Sequence, residues 1–149
     1  MERTGAMTVQ LPMAKCKRQL AAIWLVGAGI SFFLLFFQTI FGRFGDNASE
    51  AWSWLLPTIM PTLSLIVGVL VMDALGKGIG TKTVDRFIFR VALILSTIYL
   101  IVVAMTILLQ PFASLSPLEL MKQSNLWLGP FQGLVSASIG AFFVKKEQR

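Results

Sequence analysis

The sequence predicts an all-α integral membrane protein, a bundle of four transmembrane helices with short loops and a proline-kinked second helix. Three observations predict it: a shortage of charged residues, four long apolar runs, and a strongly uneven distribution of lysine and arginine. Of the 149 residues, 56% are hydrophobic and 13% are charged, and the mean hydropathy is +0.76. A soluble domain carries about 25% charged residues, so this chain has too few charges to cover a soluble surface.

Each of the four apolar runs is long enough to cross a bilayer, which takes roughly 20 residues of helix. The runs cover residues 20–41, 52–72, 87–109 and 126–144. They predict a transmembrane domain over residues 20–144, between basic tails at residues 1–19 and 145–149. The first run follows basic residues, as the core of a secretory signal would, but it is too long for one and lacks a small-residue cleavage site. We therefore interpret it as a retained span.

Lysine and arginine are concentrated on one side of the predicted domain. Of the 13 such residues, 11 lie in the two tails, in the loop between the second and third runs, or (Arg90) in the first turn of the third run, and only Arg43 and Lys122 lie on the other side. Short cytoplasmic loops carry such an excess, so the pattern predicts that both termini are cytoplasmic (N-in/C-in). Together with the short loops, it favours a bacterial inner membrane. The cations are expected to contact anionic lipid headgroups, and their distribution as topology signals argues against nucleic acid as a partner.

The stretch SWLLPTIMPTLSL in the second run places Pro57 and Pro61 on one helical face. Each proline removes a backbone donor, so the carbonyls of Ser53 and Pro57 need other partners inside a membrane. The threonines that follow the prolines are expected to supply hydroxyl donors. One interpretation is a kink that only shapes the bundle, and the other is a broken helix that lines a pore or a transport site. The predicted kink or pore residues are Pro57, Thr58, Pro61, Thr62, Gln38 and Gln132.

Small residues at helical spacing predict where the helices pack, because close backbone approach drives association between helices in lipid. The clearest row is in the fourth run, where Gly133, Ala137 and Ala141 share one face. We expect that row to pack against another helix, in the same chain or in an oligomer. The third run has few small residues and is expected to be the most exposed to lipid. The predicted packing residues are Gly27, Ser31, Ser64, Gly68, Gly133, Ser136, Ala137, Gly140 and Ala141.

The charged residues nearest to the spans lie at their ends, and none lies at mid-depth. Asp73 and Arg90, at the cytoplasmic ends of the second and third runs, are expected to form a structural ion pair. On the other side, Ser116, Pro117 and Glu119 form a capping-box pattern. That pattern predicts a short surface helix that ends near residue 123.

The residues that carry most enzymatic chemistry are missing from the sequence. There is no histidine and only one cysteine, so the sequence predicts no metal site and no cofactor, and no base stands ready to activate a serine or threonine. We expect a non-enzymatic membrane protein that acts through oligomers or a partner protein, as an accessory, anchor or sensor subunit. Two alternatives stay open. One is a small channel, permeability factor or membrane-disrupting effector, and the other is a small secondary transporter or lipid flippase.

Overall fold

Four long helices make up most of the computed structural model, which describes residues 10–76 and 83–144. The chain order is β1 (Gln10–Pro12), α1 (Met13–Ile40), α2 (Ala48–Leu75), β2 (Thr83–Asp85), α3 (Arg86–Leu108) and α4 (Pro117–Val144). All four helices are long and apolar enough to cross a membrane, which confirms the multi-pass helical class. The predicted C-terminal tail, residues 1–9 of the N-terminal tail, and Lys77 and Lys82 of the basic loop lie outside the described residues.

The helices form a bundle in the cyclic order α1, α2, α4, α3, so α2 and α3 lie across a diagonal, as do α1 and α4. The strands β1 and β2 pair in antiparallel register directly before α1 and α3, and these two helices therefore begin at the same end. Helices α2 and α4 begin at the opposite end, which we call the distal end. There Trp54 Nε1 donates to Ser124 Oγ at 2.9 Å. The other end is the basic end, and it carries the exposed residues Lys15, Arg18, Arg86 and Arg90.

Local sequence signals set the starts of α3 and α4. The Asp85 carboxylate accepts the Phe87 N–H at 2.9 Å and caps α3. At α4 the predicted capping box is present, because Glu119 N–H donates to Ser116 Oγ at 3.3 Å and the Glu119 carboxylate accepts the Ser116 N–H at 3.1 Å. The prediction of a separate short helix was wrong, since α4 continues without a break from Pro117 to Val144. The residues around 123 include neither glycine nor proline, so nothing ends the helix there.

Helix α3 is the most buried of the four, and the prediction that it faces lipid was wrong. In its most apolar stretch 39% of the residues are buried, against 22% to 33% in the other helices. Ala92, Ser96, Tyr99, Val103 and Ile107 follow one another at helical spacing and are all buried. A helix can thus occupy the centre of a bundle by filling space with large side chains, and a scarcity of small residues does not indicate lipid exposure.

Gly27 lies at a close contact between α1 and α3. A Cβ atom added there would lie 2.7 Å from Leu100 Cδ1, a distance at which the Leu100 side chain or one of the two helices must shift. One turn further along α1, the buried Ser31 hydroxyl donates to the Gly27 carbonyl at 3.0 Å. By contrast, a Cβ at Gly29 meets nothing within 4 Å.

We expect Gly27→Leu to lower the free energy of unfolding by about 1–3 kcal/mol, the usual cost of overpacking. The matched control is Gly29→Leu, which makes the same change on the same helix where space is open. Reversible unfolding in mixed detergent micelles measures both. Equal losses in the two variants would mean that the contact with Leu100 does not limit the approach of α1 to α3.

Candidate functional site

The polar residues of the predicted kink meet where α2 packs against α4. Thr58 and Thr62 are buried on α2, and Gln132 and Ser136 face them from α4. Gln132 Nε2 donates to the carbonyl oxygens of Pro57 at 3.2 Å and of Thr58 at 3.3 Å. The Thr62 and Ser136 hydroxyls lie 3.3 Å apart. These contacts form one cluster of four predicted kink or pore residues and one predicted packing residue, Ser136. The four are Pro57, Thr58, Thr62 and Gln132.

One hydrogen bond in this cluster replaces a bond that a proline removes. Helix α2 runs unbroken through Pro57 and Pro61. Within a helix, the carbonyl of Pro57 would normally accept from the N–H of residue 61, which a proline lacks. The side-chain amide of Gln132 supplies the missing donor to that carbonyl. The neighbouring helix therefore satisfies a backbone group that α2 cannot satisfy by itself.

The threonines do not supply the missing donors, and that prediction was wrong. The Thr58 hydroxyl donates to the Trp54 carbonyl at 2.6 Å, and the Thr62 hydroxyl lies against Ser136. The reason is geometric, because a threonine in a helix bonds to the carbonyl four residues before it. The carbonyl freed by a proline that directly precedes the threonine lies five residues before it, beyond that reach.

A related arrangement is found at the distal end, between α1 and α3. The Ile107 carbonyl lies in the last turn of α3, which ends at Leu108, and Pro111, four residues after Ile107, has no N–H to donate to it. Gln38 Nε2 of α1 donates to that carbonyl at 3.2 Å. Gln38 thus pairs with α3, and it does not join the cluster around Pro57 and Pro61 with which the sequence grouped it.

Tyr99 holds a central position that the sequence analysis did not single out. Its hydroxyl donates to the Thr58 carbonyl at 2.8 Å, which joins α3 to α2 across the bundle. Its ring packs against Trp24 of α1 and Phe131 of α4, with centroid distances of 6.0 and 5.5 Å. A signal was available, since Tyr99 is the single tyrosine of the chain and a phenol buried in an apolar span needs a hydrogen-bond partner.

Some buried polar atoms keep unused hydrogen-bonding capacity within residues 10–76 and 83–144. At mid-bundle these are Trp24 Nε1 and Ser96 Oγ. At the distal end they are Gln38 Oε1 and both amide atoms of Gln110. The glutamine that serves the Ile107 carbonyl therefore uses its donor and leaves its acceptor free.

The ion pair at Asp73 forms with Lys17, and the expected pair with Arg90 is not formed among the described residues. Asp73 lies in the last turn of α2 and Arg90 lies near the start of α3. The two residues are therefore on diagonal helices, whereas α1 is a direct neighbour of α2. Lys17 also lies 5.7 Å from the centroid of the Phe143 ring, so its ammonium contacts three helices. At the distal end, Lys122 and Glu50 join α4 to α2 at 3.0 Å.

The predicted packing residues divide into an inner and an outer set. Gly27 and Ser31 lie between α1 and α3, and Ser136 is half-buried against α2. A Cβ at Gly133 or Gly140 meets nothing within 4 Å, so no other part of the described chain covers these positions. The exposed members of the set are Ser64, Gly68, Gly133, Ala137 and Ala141.

The acidic and sulfur-containing side chains of the described ranges form no group of three that could hold a metal ion. The chain matches no protein family, no curated protein and no solved structure.

We expect Gln132→Leu to lower the free energy of unfolding by about 1–3 kcal/mol, because the Pro57 carbonyl loses its donor in an apolar interior. Pro61→Ala restores the helical N–H, so Gln132→Leu should cost about 1 kcal/mol less in the Pro61→Ala background. Unfolding in mixed micelles measures all four proteins of this cycle. Gln123→Leu, at an exposed site on the same helix, is the control. An equal cost in both backgrounds would show that Gln132 does not act through the proline-freed carbonyl.

Proposed function

We propose that the protein is a small, non-enzymatic integral membrane protein that acts through a helix of another subunit, in an oligomer or in complex with a partner membrane protein. The observation that carries this proposal is the outward position of the small-residue row on α4. Gly133, Ala137 and Ala141 are exposed, and open space lies over Gly133. In lipid, a row of small residues favours helix association by close backbone approach.

The outward row continues onto α2. Helices α2 and α4 run in the same direction, and their contact is made by Thr58 and Thr62 against Gln132 and Ser136. The residues that precede the threonines are prolines, and those that follow the α4 residues are Gly133 and Ala137. In two parallel right-handed helices, the residue before a contact residue on one helix and the residue after a contact residue on the other helix lie on the same side of the interface. We call this surface the α2–α4 face, and it comprises the exposed residues Pro57, Pro61, Gly133 and Ala137.

The hydrogen bonds inside the bundle favour a structural role for the kink residues over a pore lining. Thr58 and Gln132 donate to backbone carbonyls, and the Thr62 hydroxyl pairs with that of Ser136. These side chains therefore have few free donors or acceptors for water or ions. We propose that α2 bends between Pro57 and Pro61 and that the bend shapes the α2–α4 face. In the alternative channel function, the same residues would have to exchange these bonds for contacts with a permeating species.

We also propose that both termini are cytoplasmic and that the protein resides in a bacterial inner membrane. The unequal ends of the bundle support this orientation. Exposed Lys15, Arg18, Arg86 and Arg90 cluster at the basic end, whereas Lys122 at the distal end is paired with Glu50. Reporter fusions at Met1 and Arg149 should both give a cytoplasmic signal. A periplasmic signal at either terminus would overturn the proposed topology.

We expect Gly133→Leu combined with Ala137→Leu to reduce self-association severalfold, because leucine holds the neighbouring backbone away. Energy transfer between labelled copies in liposomes, at several lipid-to-protein ratios, measures association. Gly29→Leu is the control, since it introduces leucine into open space on α1. Equal energy transfer in the variant, the control and the wild type would remove the α2–α4 face as an interface between copies. Retention by the variant of a membrane protein that co-purifies with the wild type would likewise remove it as a partner interface.

Ion flux distinguishes the proposed function from the channel alternative. Ion flux through liposomes that hold the purified protein should stay at the level of empty vesicles, because Thr58, Thr62 and Gln132 are engaged in hydrogen bonds within the bundle. Flux that changes in the variant with Pro57→Ala and Pro61→Ala, at equal protein content, would overturn the proposed function and support pore lining by α2.

A further inference from the structure

A long groove runs along the outside of the bundle between α1 and α3. It has a volume of about 410 Å³. Its walls include Ala22, Val26 and Ile30 from α1 and Thr97, Ile101 and Ala104 from α3. The hydroxyl of Thr97, the polar side chain among these six, already donates to the Leu93 carbonyl at 2.8 Å. The groove therefore presents an apolar wall to the membrane, suited to an acyl chain.

Arginines extend both walls of the groove towards the basic end. Arg18 lies four residues before Ala22 on α1, and Arg90 lies seven residues before Thr97 on α3. These spacings place each arginine on the same helical face as the groove residue that follows it. Both arginines are exposed, and neither forms an ion pair within the described ranges. The nearby Asp85 carboxylate is engaged by the first turn of α3.

The two arginines lie at the same depth. The contact of Gly27 with Leu100 sets the register of α1 against α3. Arg18 comes nine residues before Gly27, and Arg90 comes ten residues before Leu100. At the helical rise these separations are about 14 and 15 Å. The side chains therefore stand opposite each other at one mouth of the groove.

The distance from Arg18 to the far end of the groove matches the depth of one leaflet. From Arg18 to Ile30 there are twelve residues of helix, which span about 18 Å. The hydrocarbon core of a bilayer is about 30 Å thick, so half of it fits this length. When the apolar wall lies in hydrocarbon, Arg18 and Arg90 reach the level of the lipid phosphates.

We propose that the α1–α3 groove is a binding site for an anionic phospholipid of the leaflet at the basic end. The acyl chain lies against Ala22, Val26 and Ala104, and the phosphate lies between Arg18 and Arg90. Guanidinium groups suit this task because their planar donors match phosphate oxygens in pairs. This site is separate from the α2–α4 face, and the inference does not depend on the proposed function.

A second groove provides an internal comparison. It lies between α1 and α2, has a volume of about 260 Å³, and is lined by apolar residues such as Leu25, Leu56 and Met60. On the α2 side of α1, however, the cation of the basic end is Lys17, which is already paired with Asp73. An anionic headgroup therefore favours the α1–α3 groove, where Arg18 and Arg90 form no ion pair within the described ranges.

Native mass spectrometry of the purified protein tests the headgroup contact. The probes are phosphatidylglycerol and phosphatidylcholine with identical chains. We expect the wild type to bind phosphatidylglycerol more tightly, and Arg18→Gln with Arg90→Gln to weaken that binding by at least about tenfold. Arg43→Gln with Lys122→Gln removes the same number of charges from the distal end and should leave the binding unchanged. Equal binding of the two lipids, or equal losses in the two double variants, would overturn the site.

A second pair of variants tests the acyl-chain contact. Ala22→Leu with Ala104→Leu fills the groove without changing charge, and it should weaken phosphatidylglycerol binding severalfold. Ala22→Leu alone, at an exposed site, provides the same test if the double variant unfolds. Inorganic phosphate should fail to displace the lipid from the wild type at equal concentration. Displacement by phosphate, or undiminished binding in the filled groove, would indicate a bare anion site and overturn the lipid assignment.

Arg18→Lys with Arg90→Lys distinguishes the contribution of the paired guanidinium donors to lipid binding from the contribution of the positive charge alone. This variant keeps both charges and should fall between the wild type and the glutamine variant in affinity for phosphatidylglycerol. Affinity as low as that of the glutamine variant would contradict a role for charge. The unfolding midpoint of every variant without added lipid must match that of the wild type, which shows that lost binding does not reflect lost folding.

Discussion

Within a membrane, every backbone carbonyl needs a donor, and in this bundle a side chain from a neighbouring helix supplies one at two carbonyls. Pro61 has no N–H for the Pro57 carbonyl, and the Ile107 carbonyl lies in the last turn of α3, where Pro111 likewise has none to offer. In both cases a glutamine from the neighbouring parallel helix supplies the donor. These bonds join α2 to α4 and α1 to α3, so the bundle consists of two parallel pairs that are each fastened in the same way. A carbonyl left unpaired in hydrocarbon is costly, which makes each pairing hard to replace.

The two pairs are held together by a smaller number of polar contacts. Tyr99 donates to the Thr58 carbonyl near the centre, and Lys17 pairs with Asp73 at the basic end. Apolar packing around Trp24 and Phe131 fills the space beside the tyrosine. Because Thr58, Thr62, Tyr99 and Gln132 are engaged in holding the bundle together, we expect contacts with other molecules at the outer surfaces. The small residues of the α2–α4 face and the arginines of the α1–α3 groove are both on those surfaces.

Local patterns in the sequence predict some features of single helices, whereas features that depend on helix order could not be predicted from them. Span number and the Ser116 capping box follow from local patterns, and both are present. The partner of Asp73 could be predicted only by knowing which helices are neighbours. Asp73 and Arg90 belong to spans two and three, which are consecutive in the sequence but lie on a diagonal of the bundle, and Asp73 pairs with Lys17 instead. Gln38 and Gln132 were recognised as polar residues at membrane depth. Their shared role could have been found by asking which side chain reaches a carbonyl four residues before each proline.

The division into parallel pairs also assigns different chemistry to each pair. The α2–α4 face exposes Gly133 and Ala137 and carries no charged residue, which suits another helix. The α1–α3 pair exposes an apolar groove that ends in Arg18 and Arg90, which suits a lipid. Arg18 directly follows Lys17, whose ion pair with Asp73 ties the two pairs together. A phosphate bound at Arg18 would add negative charge beside Lys17 and compete with Asp73 for it. Lipid binding on one pair is therefore electrostatically linked to the contact that holds the other pair in place.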